Sequence, residues 1–206
     1  MPRKTTKPRS RNRWEDHYTR KARQDNYPAR SVYKLKEIQK RYRLLHPGNR
    51  VLDLGCAPGS WLKLAAEVVG PRGYVLGLDL KPVEVALPSH AHAVVADIFD
   101  LKDDTIALLS RGFHCVISDM APATTGHKDV DAARSFNLCE SALGIAKDHL
   151  LDGGRFVCKI FQGPDSQAFI ATIKHTFTRC HIYKPQSSRK ASREIFVIGK
   201  GKKQEV

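Results

Sequence analysis

The chain has 206 residues and carries 35 Lys and Arg against 21 Asp and Glu, a formal net charge of +14. That length suits one domain with a sizeable core and is too short for two ordinary ones. No stretch reaches the roughly twenty apolar residues of a membrane span, none has the apolar core of a signal peptide, and the five cysteines form no C-x-x-C pair; a reduced, cytoplasmic protein with no membrane attachment is expected.

The charge sits at the ends. Residues 1 to 43 hold 15 Lys and Arg against 4 acids and residues 184 to 206 hold 7 against 2, so the ends contribute +11 and +5 and the middle is left at −2. A near-neutral body with cationic ends is expected of a protein held on a polyanion, because each neutralised phosphate releases counterions. Residues 1 to 25 read as a basic, flexible tail, residues 26 to 200 as the single domain, and residues 201 to 206 as a short basic tail. Trp14, Tyr18 and Tyr27, interleaved with Arg and Lys, offer faces on which bases stack.

Within the domain, Pro28 precedes a helix in which Val32, Leu35, Ile38 and Tyr42 recur at helical spacing, with Lys34 just off that stripe. Pro47-Gly48 breaks the chain before a first strand, Arg50 to Leu54, which enters the turn Gly55-Cys-Ala-Pro-Gly-Ser60. A helix from about Gly59 buries Leu62, Ala65, Ala66 and Val69 and stops at Gly70-Pro71. Buried strands follow at Tyr74 to Asp79, Ala91 to Val95 and Phe113 to Ile117, each ending in or just before an acid: Asp79, Asp97 and Asp119. A long helix over 131–149 offers Leu138, Leu143 and Ile145 for burial and ends at Gly153-Gly154. Arg155 to Phe161 is a fifth strand, Asp165 to His175 a helix, and Cys180 to Tyr183 and Glu194 to Ile198 two late strands. Strands apolar on both faces alternating with helices argue for an α/β fold, a parallel sheet covered on two sides, with ligands beyond the carboxyl ends of the strands. His90-Ala-His92 reads as a strand-edge pair, and no metal is expected.

The turn after the first strand allows close backbone approach and opens a helix whose N–H groups point outward. Asp79 follows Asp53 by 26 residues, at the strand end where an acid accepts hydrogen bonds from ribose hydroxyls. The positions after Gly55 are Cys, Ala and Pro, so the pyrophosphate cradle of a dinucleotide site is spoiled and an adenosyl ligand without phosphates fits better. Asp97 is placed to receive the amine of adenine or else serves only as a helix N-terminal acid. Trp61 lines the ligand pocket or else is a core aromatic of its helix. Lys159, between Cys158 and Ile160 in a buried strand, needs a partner.

Five stretches together carry a specific resemblance: Ala29 to Ile38, Asp53 to Trp61, Ser118 to Pro122, Val157 to Gly163 and Ser187 to Glu194. From about residue 25 to residue 200 the chain resembles the FtsJ/RrmJ family of S-adenosylmethionine-dependent ribose 2′-O-methyltransferases, in its bacterial large-subunit ribosomal RNA form. The resemblance implies a Rossmann-like methyltransferase fold, a seven-stranded mostly parallel sheet with helices on both faces. It implies S-adenosyl-L-methionine as cofactor, a uridine ribose of 23S ribosomal RNA within the large subunit as substrate, and no stable protein partner.

The family's K-D-K-E tetrad falls on Lys34, Asp119, Lys159 and Glu194, and its cofactor residues on Gly59, Trp61, Asp79, Asp97 and Asp119. Asp53, Gly55 and Pro58 complete the expected cofactor set, and Arg30, Arg189, Lys190 and Arg193 are the expected RNA contacts. Cys56 and Ser60 stand where relatives often have Ala and Gly; all are small. The chemistry requires the 2′-oxygen to attack a sulfonium methyl in line, with reacting atoms about 3–3.5 Å apart. Lys159 is the candidate acceptor of the hydroxyl proton. Burial and Lys34 favour its neutral form and Asp119 its charged form, so a base and an orienting donor are both open. The alternatives are a transfer-RNA or messenger-cap ribose methyltransferase, and an RNA-binding assembly factor without chemistry.

Overall fold

Strand residues alternate between the two faces of a sheet, so an uninterrupted apolar run can form a strand only where both faces are covered. The computed structural model describes residues 13–204 and shows that arrangement. Strands β1 (Arg50–Leu54), β2 (Tyr74–Asp79), β3 (Ala91–Val95), β4 (Phe113–Ser118), β5 (Leu150–Phe161), β6 (Phe177–Tyr183) and β7 (Glu194–Lys202) form one sheet in the order β3-β2-β1-β4-β5-β7-β6. Neighbours from β3 to β5 are parallel, whereas β7 runs antiparallel to both β5 and β6. Helices α2 (Val32–Tyr42) and α3 (Ser60–Val69) cover one face, where Val51, Val75, Ile117, Val157, Phe196 and Ile198 are buried. Helices α5 (Lys128–His149) and α6 (Ser166–Thr176) cover the other, against Leu52, Leu76, Val116, Phe156, Ile160 and Val197. The order reverses between β1 and β4, and a sheet of this kind opens its ligand crevice at that point.

The expected strands and helices are present, with informative departures. The basic segment is not a flexible tail from residue 13 on: α1 (Arg13–Gln24) is helical, Ala22 is buried, and Tyr18 packs 5.2 Å from the Tyr33 ring. Residues 1–12 lie outside the described residues. Gly153-Gly154 does not stop α5, which ends at His149 and passes directly into β5; Gly153 (φ 71°) bends the start of that strand, where its register against β4 shifts. The strand β7 extends to Lys202, so residues 201 and 202 are sheet rather than tail. The strand β3 is a sheet edge with His92 exposed, not a buried strand. A short helix, α4 (Asp103–Leu109), had no counterpart in the sequence reading, since only Thr105 and Leu109 of its seven residues are buried. Among the described residues no helix is long and apolar enough to cross a membrane.

Candidate active site

The β1 chain exits into a turn that only glycine permits at two points. Gly55 (φ 78°) and Gly59 (φ 104°) lie in the left-handed region. A Cβ at Gly55 would stand 2.3 Å from Met120 Cγ, and one at Gly59 2.7–2.8 Å from methyls of Val85 and Val83. Asp79 closes the turn from the end of β2: the Ala57 N–H donates to Oδ2 at 2.9 Å and the Lys81 N–H to Oδ1 at 2.8 Å. Asp97 Oδ1 accepts from the Phe99 N–H at 2.9 Å. Gly55, Asp79, Asp97 and Asp119 line one cleft of about 600 Å³, with Leu80 (69 % exposed) and Phe99 (60 %) also on its wall.

The other residues expected to hold the cofactor do not line that cleft. Pro58 and Gly59 shape the turn and the entry to α3. The Trp61 ring is a core aromatic and not part of the cleft wall: it is 3 % exposed, stacks on Phe196 at 5.7 Å, and donates its indole N–H to Ser31 O at 2.9 Å. Only its main chain, at the second residue of α3, adjoins the turn. Asp53 is buried, and among the described residues neither carboxylate oxygen has a hydrogen-bond partner. Burial, with Asp119 and Asp79 as neighbouring acids, pushes its carboxyl well above the usual range.

The tetrad assembles as the register of β5 and β7 dictates. Lys159 pairs with Phe196 and Phe161 with Glu194, so Lys159 and Glu194 are diagonal neighbours on the face covered by α2. That helix supplies Lys34, and Asp119 follows β4 on the adjacent side. Lys159, whose side chain is 6 % exposed, donates to the Asp119 main-chain O at 2.6 Å and lies 3.0 Å from Asp119 Oδ1. Lys34 Nζ stands 3.4 Å from the same Oδ1 and 3.1 Å from Glu194. Burial works against the charge of Glu194, but Lys34 and the other polar neighbours outweigh it and hold the carboxyl below its ordinary 4.5. The folded state therefore binds this proton more weakly than the unfolded chain. The stability Glu194 contributes is fully present above pH 4.5 and is lost as pH falls through its lowered value; Glu194→Gln should flatten that acid limb in denaturation measured against pH.

A second cleft, of about 490 Å³, is lined by Lys34, Lys159 and Glu194 together with Arg30, Ser187 and Arg189. Ala121 belongs to both clefts, and the tetrad stands at their junction. The Arg30 guanidinium donates to Ser187 O at 2.7 Å. Lys190 and Arg193 are exposed on the same loop but outside the cleft wall.

Two positioning residues escaped the sequence reading. Glu37, on α2, accepts from the Tyr183 hydroxyl (3.0 Å) and the Gln186 N–H (2.7 Å) at one oxygen and from the Ser187 N–H (2.9 Å) at the other. It thereby ties the loop between β6 and β7 to the helix that carries Lys34. Its partners lie 146 or more residues away, and in sequence it is an ordinary helix acid. Glu37→Gln should cost about 2 kcal/mol, since bonds to a charged acceptor are the strong ones, and should raise KM for the acceptor while leaving cofactor affinity unchanged; steady-state kinetics and denaturant unfolding check both. Asp131, in the first turn of α5, accepts from the Thr125 N–H (2.7 Å), the Thr125 hydroxyl and the Gly126 N–H, which hold its carboxyl below the usual range and fix the loop bearing Pro122 and Ala123 on the first cleft.

Structural comparison finds the same fold in two solved proteins. A crystal structure of a protein described as a ribosomal RNA methyltransferase from Plasmodium falciparum superposes with a TM-score of 0.76 at 24 % identity, covering 87 % of this chain and 100 % of that one. Human methyltransferase-like protein 13, in complex with SAH, gives 0.54 at 15 %, covering 75 % and 72 %. At those identities the likeness is one of fold.

The chain belongs to the FtsJ-like methyltransferase family, whose model matches residues 27–202. It is 58 % identical over 198 residues to ribosomal RNA large subunit methyltransferase E of Desulforapulum autotrophicum, covering 96 % of this chain and 97 % of the relative. It is 53 % identical over 198 residues to the protein of the same name from Desulfatibacillum aliphaticivorans, covering 96 % of each. The family expected from the five sequence stretches is the family found.

Proposed function

We propose that the protein transfers a methyl group from S-adenosylmethionine to the 2′-oxygen of a uridine ribose in the ribosomal RNA of the large subunit. The observation that carries this reading is the meeting of two clefts at a lysine and carboxylate network, as a reaction between two bound partners requires. The name shared by the relatives supports the substrate class, and the SAH complex of a protein with this fold supports the cofactor.

The first cleft suits an adenosyl group. Asp97 uses one carboxylate oxygen on the Phe99 N–H, Leu80 and Phe99 present apolar surface, and the cleft-lining acids Asp79, Asp97 and Asp119 suit a cationic ligand. When bound, S-adenosylmethionine supplies a sulfonium methyl whose bond to sulfur breaks as the ribose oxygen–carbon bond forms, leaving S-adenosylhomocysteine.

The rest falls to the tetrad. Lys159 Nζ donates to the Asp119 main-chain O and lies 3.0 Å from the Asp119 carboxylate as an ion pair. Lys159 also lines the second cleft, and the mechanism requires one position on its Nζ to be open to it. In the amine form that position holds a lone pair, which takes the proton of the 2′-hydroxyl as the oxygen attacks. The resulting ammonium stays paired with Asp119, and Lys34 and Glu194 hold the ribose hydroxyls and the network in place.

The test is methyl transfer from labelled S-adenosylmethionine to bacterial large ribosomal subunits, to their extracted RNA and to transfer RNA, with the product mapped by resistance to alkali. Label on ribose in a ribosomal substrate is the expected result. Cofactor binding without transfer to any of them would overturn it in favour of an RNA-binding protein without chemistry.

A further inference from the structure

The pairing of the last strands sets three cations side by side. Arg155 on β5 is opposite Lys200 on β7, and Lys200 is opposite Arg179 on β6. Like charges directly opposite on neighbouring strands repel, and here the repulsion is visible: burial, then Arg155 and Arg179, lower the pKa of Lys200, with no acid among the causes.

The carboxyl end of α2 answers part of that charge. Lys200 Nζ donates to Tyr42 O at 3.0 Å and Arg155 to Leu44 O at 3.1 Å, at the negative end of the helix. Arg179 is exposed, as are His181 on the same strand and Arg41 on the helix. The Arg41 guanidinium lies 5.7 Å and 5.4 Å from the Tyr42 and Tyr183 rings, and the Tyr42 ring is 5.1 Å from His181. Among the described residues, no ion pair includes Arg41, Arg155, Arg179 or Lys200. Glu37, one helical turn before Arg41, is engaged by the Tyr183, Gln186 and Ser187 donors. Cations interleaved with aromatic rings and left without carboxylates suit a polyanion that brings its own negative charge.

We propose that Arg179, Lys200, Arg41 and their ring neighbours form a second contact for the phosphate backbone of RNA, remote from the acceptor cleft. The inference rests on the ribosomal RNA reading of that cleft. Lys200 lies six steps along β7 from Glu194, about 20 Å at strand rise, so the phosphates held here belong to nucleotides other than the one that is methylated. The contact carries no base readout and sets the orientation of the RNA on the protein.

The test compares wild type with Arg179→Gln, Arg41→Gln and the double variant. Lys174→Gln is the control, because it removes one exposed charge from α6 on the opposite face of the sheet. Affinity for large ribosomal subunits and for their extracted RNA is measured across salt concentrations, with thermal unfolding as the check on folding. Each of the two substitutions should reduce the salt slope by about 1, and the double variant should weaken both RNAs roughly tenfold, with S-adenosylmethionine affinity unchanged and Lys174→Gln close to wild type.

Unchanged slopes in folded variants would overturn the proposal, as would an equal loss in Lys174→Gln, which would mean that overall charge alone matters. Weakening confined to assembled subunits would assign the surface to a ribosomal protein and overturn it as well. Failure of the wild type to bind either RNA would instead sink the proposed function, and this surface with it.

Discussion

Lys159→Ala is expected to lower kcat by about a thousandfold, within the 10²–10⁴ range of a lost general base, while leaving the affinity for S-adenosylmethionine within about threefold of wild type. The two effects separate because Lys159 lines the second cleft and not the first. Its Nζ is held by Asp119, 2.6 Å from the main-chain O and 3.0 Å from Oδ1, whereas Lys34, the neighbouring amine, lies farther from that Oδ1, at 3.4 Å, and is also paired with Glu194. Lys159→Arg restores the positive charge but not a removable proton, because a guanidinium stays protonated throughout the working range. The wild-type rate should therefore rise with pH along one ionisation that the arginine variant lacks. A rate independent of pH in both would sink the base role and leave Lys159 as an orienting donor. Single-turnover rates at saturating cofactor give the cleanest measurement, since product release then does not mask the chemical step.

Asp119→Ala should have the second largest effect, and on two quantities at once. One carboxylate oxygen serves both lysines, at 3.0 Å and 3.4 Å, with the side chain only 14 % exposed. Removing it leaves Lys159 buried with a single carbonyl as its partner and Lys34 with Glu194 alone. Breaking a buried pair from one side costs about 3 kcal/mol, which denaturant unfolding should register as a lower midpoint at unchanged slope. Methyl transfer should fall to the level of Lys159→Ala, because the amine loses its orientation. Combining Asp119→Ala with Lys159→Met removes the stranded charge, so the double variant should be more stable than Asp119→Ala alone. A double variant less stable than either single one would mean that Asp119 acts through its packing and not through its charge.

The sequence was legible where local pattern and site chemistry coincide. The bounds of β1, β2 and β3 follow from apolar runs ending in the glycine turn or in acids, and Lys159 stands out because a lysine in a buried strand requires a partner. The residues misread are those whose surroundings come from far along the chain. Trp61 opens a helix beside the cofactor turn, yet its indole is claimed by Ser31 O and by Phe196 on the last strand. Glu37 resembles any helix acid until the loop after β6 folds onto it. The helix α1 looks like a solvated basic tail because so little of it is apolar; what holds it is Ala22 in the core and Tyr18 against Tyr33, contacts that no window of sequence contains. Gly153-Gly154 reads as a helix stop and is instead the bent entry of β5.

The placement of β7 between β5 and β6 has a consequence in time. Glu194 is the first residue of that strand, and β7 is the last of the seven to be synthesised. Chains emerge amino end first, and a domain generally folds as a unit. The glycine turn and its strand-end acids thus emerge before β7, at a stage when the slot beside β5 has no strand to fill it and the lysine network lacks its second carboxylate. The lysine network is therefore complete only once β7, the strand that carries Glu194, has emerged and paired with β5.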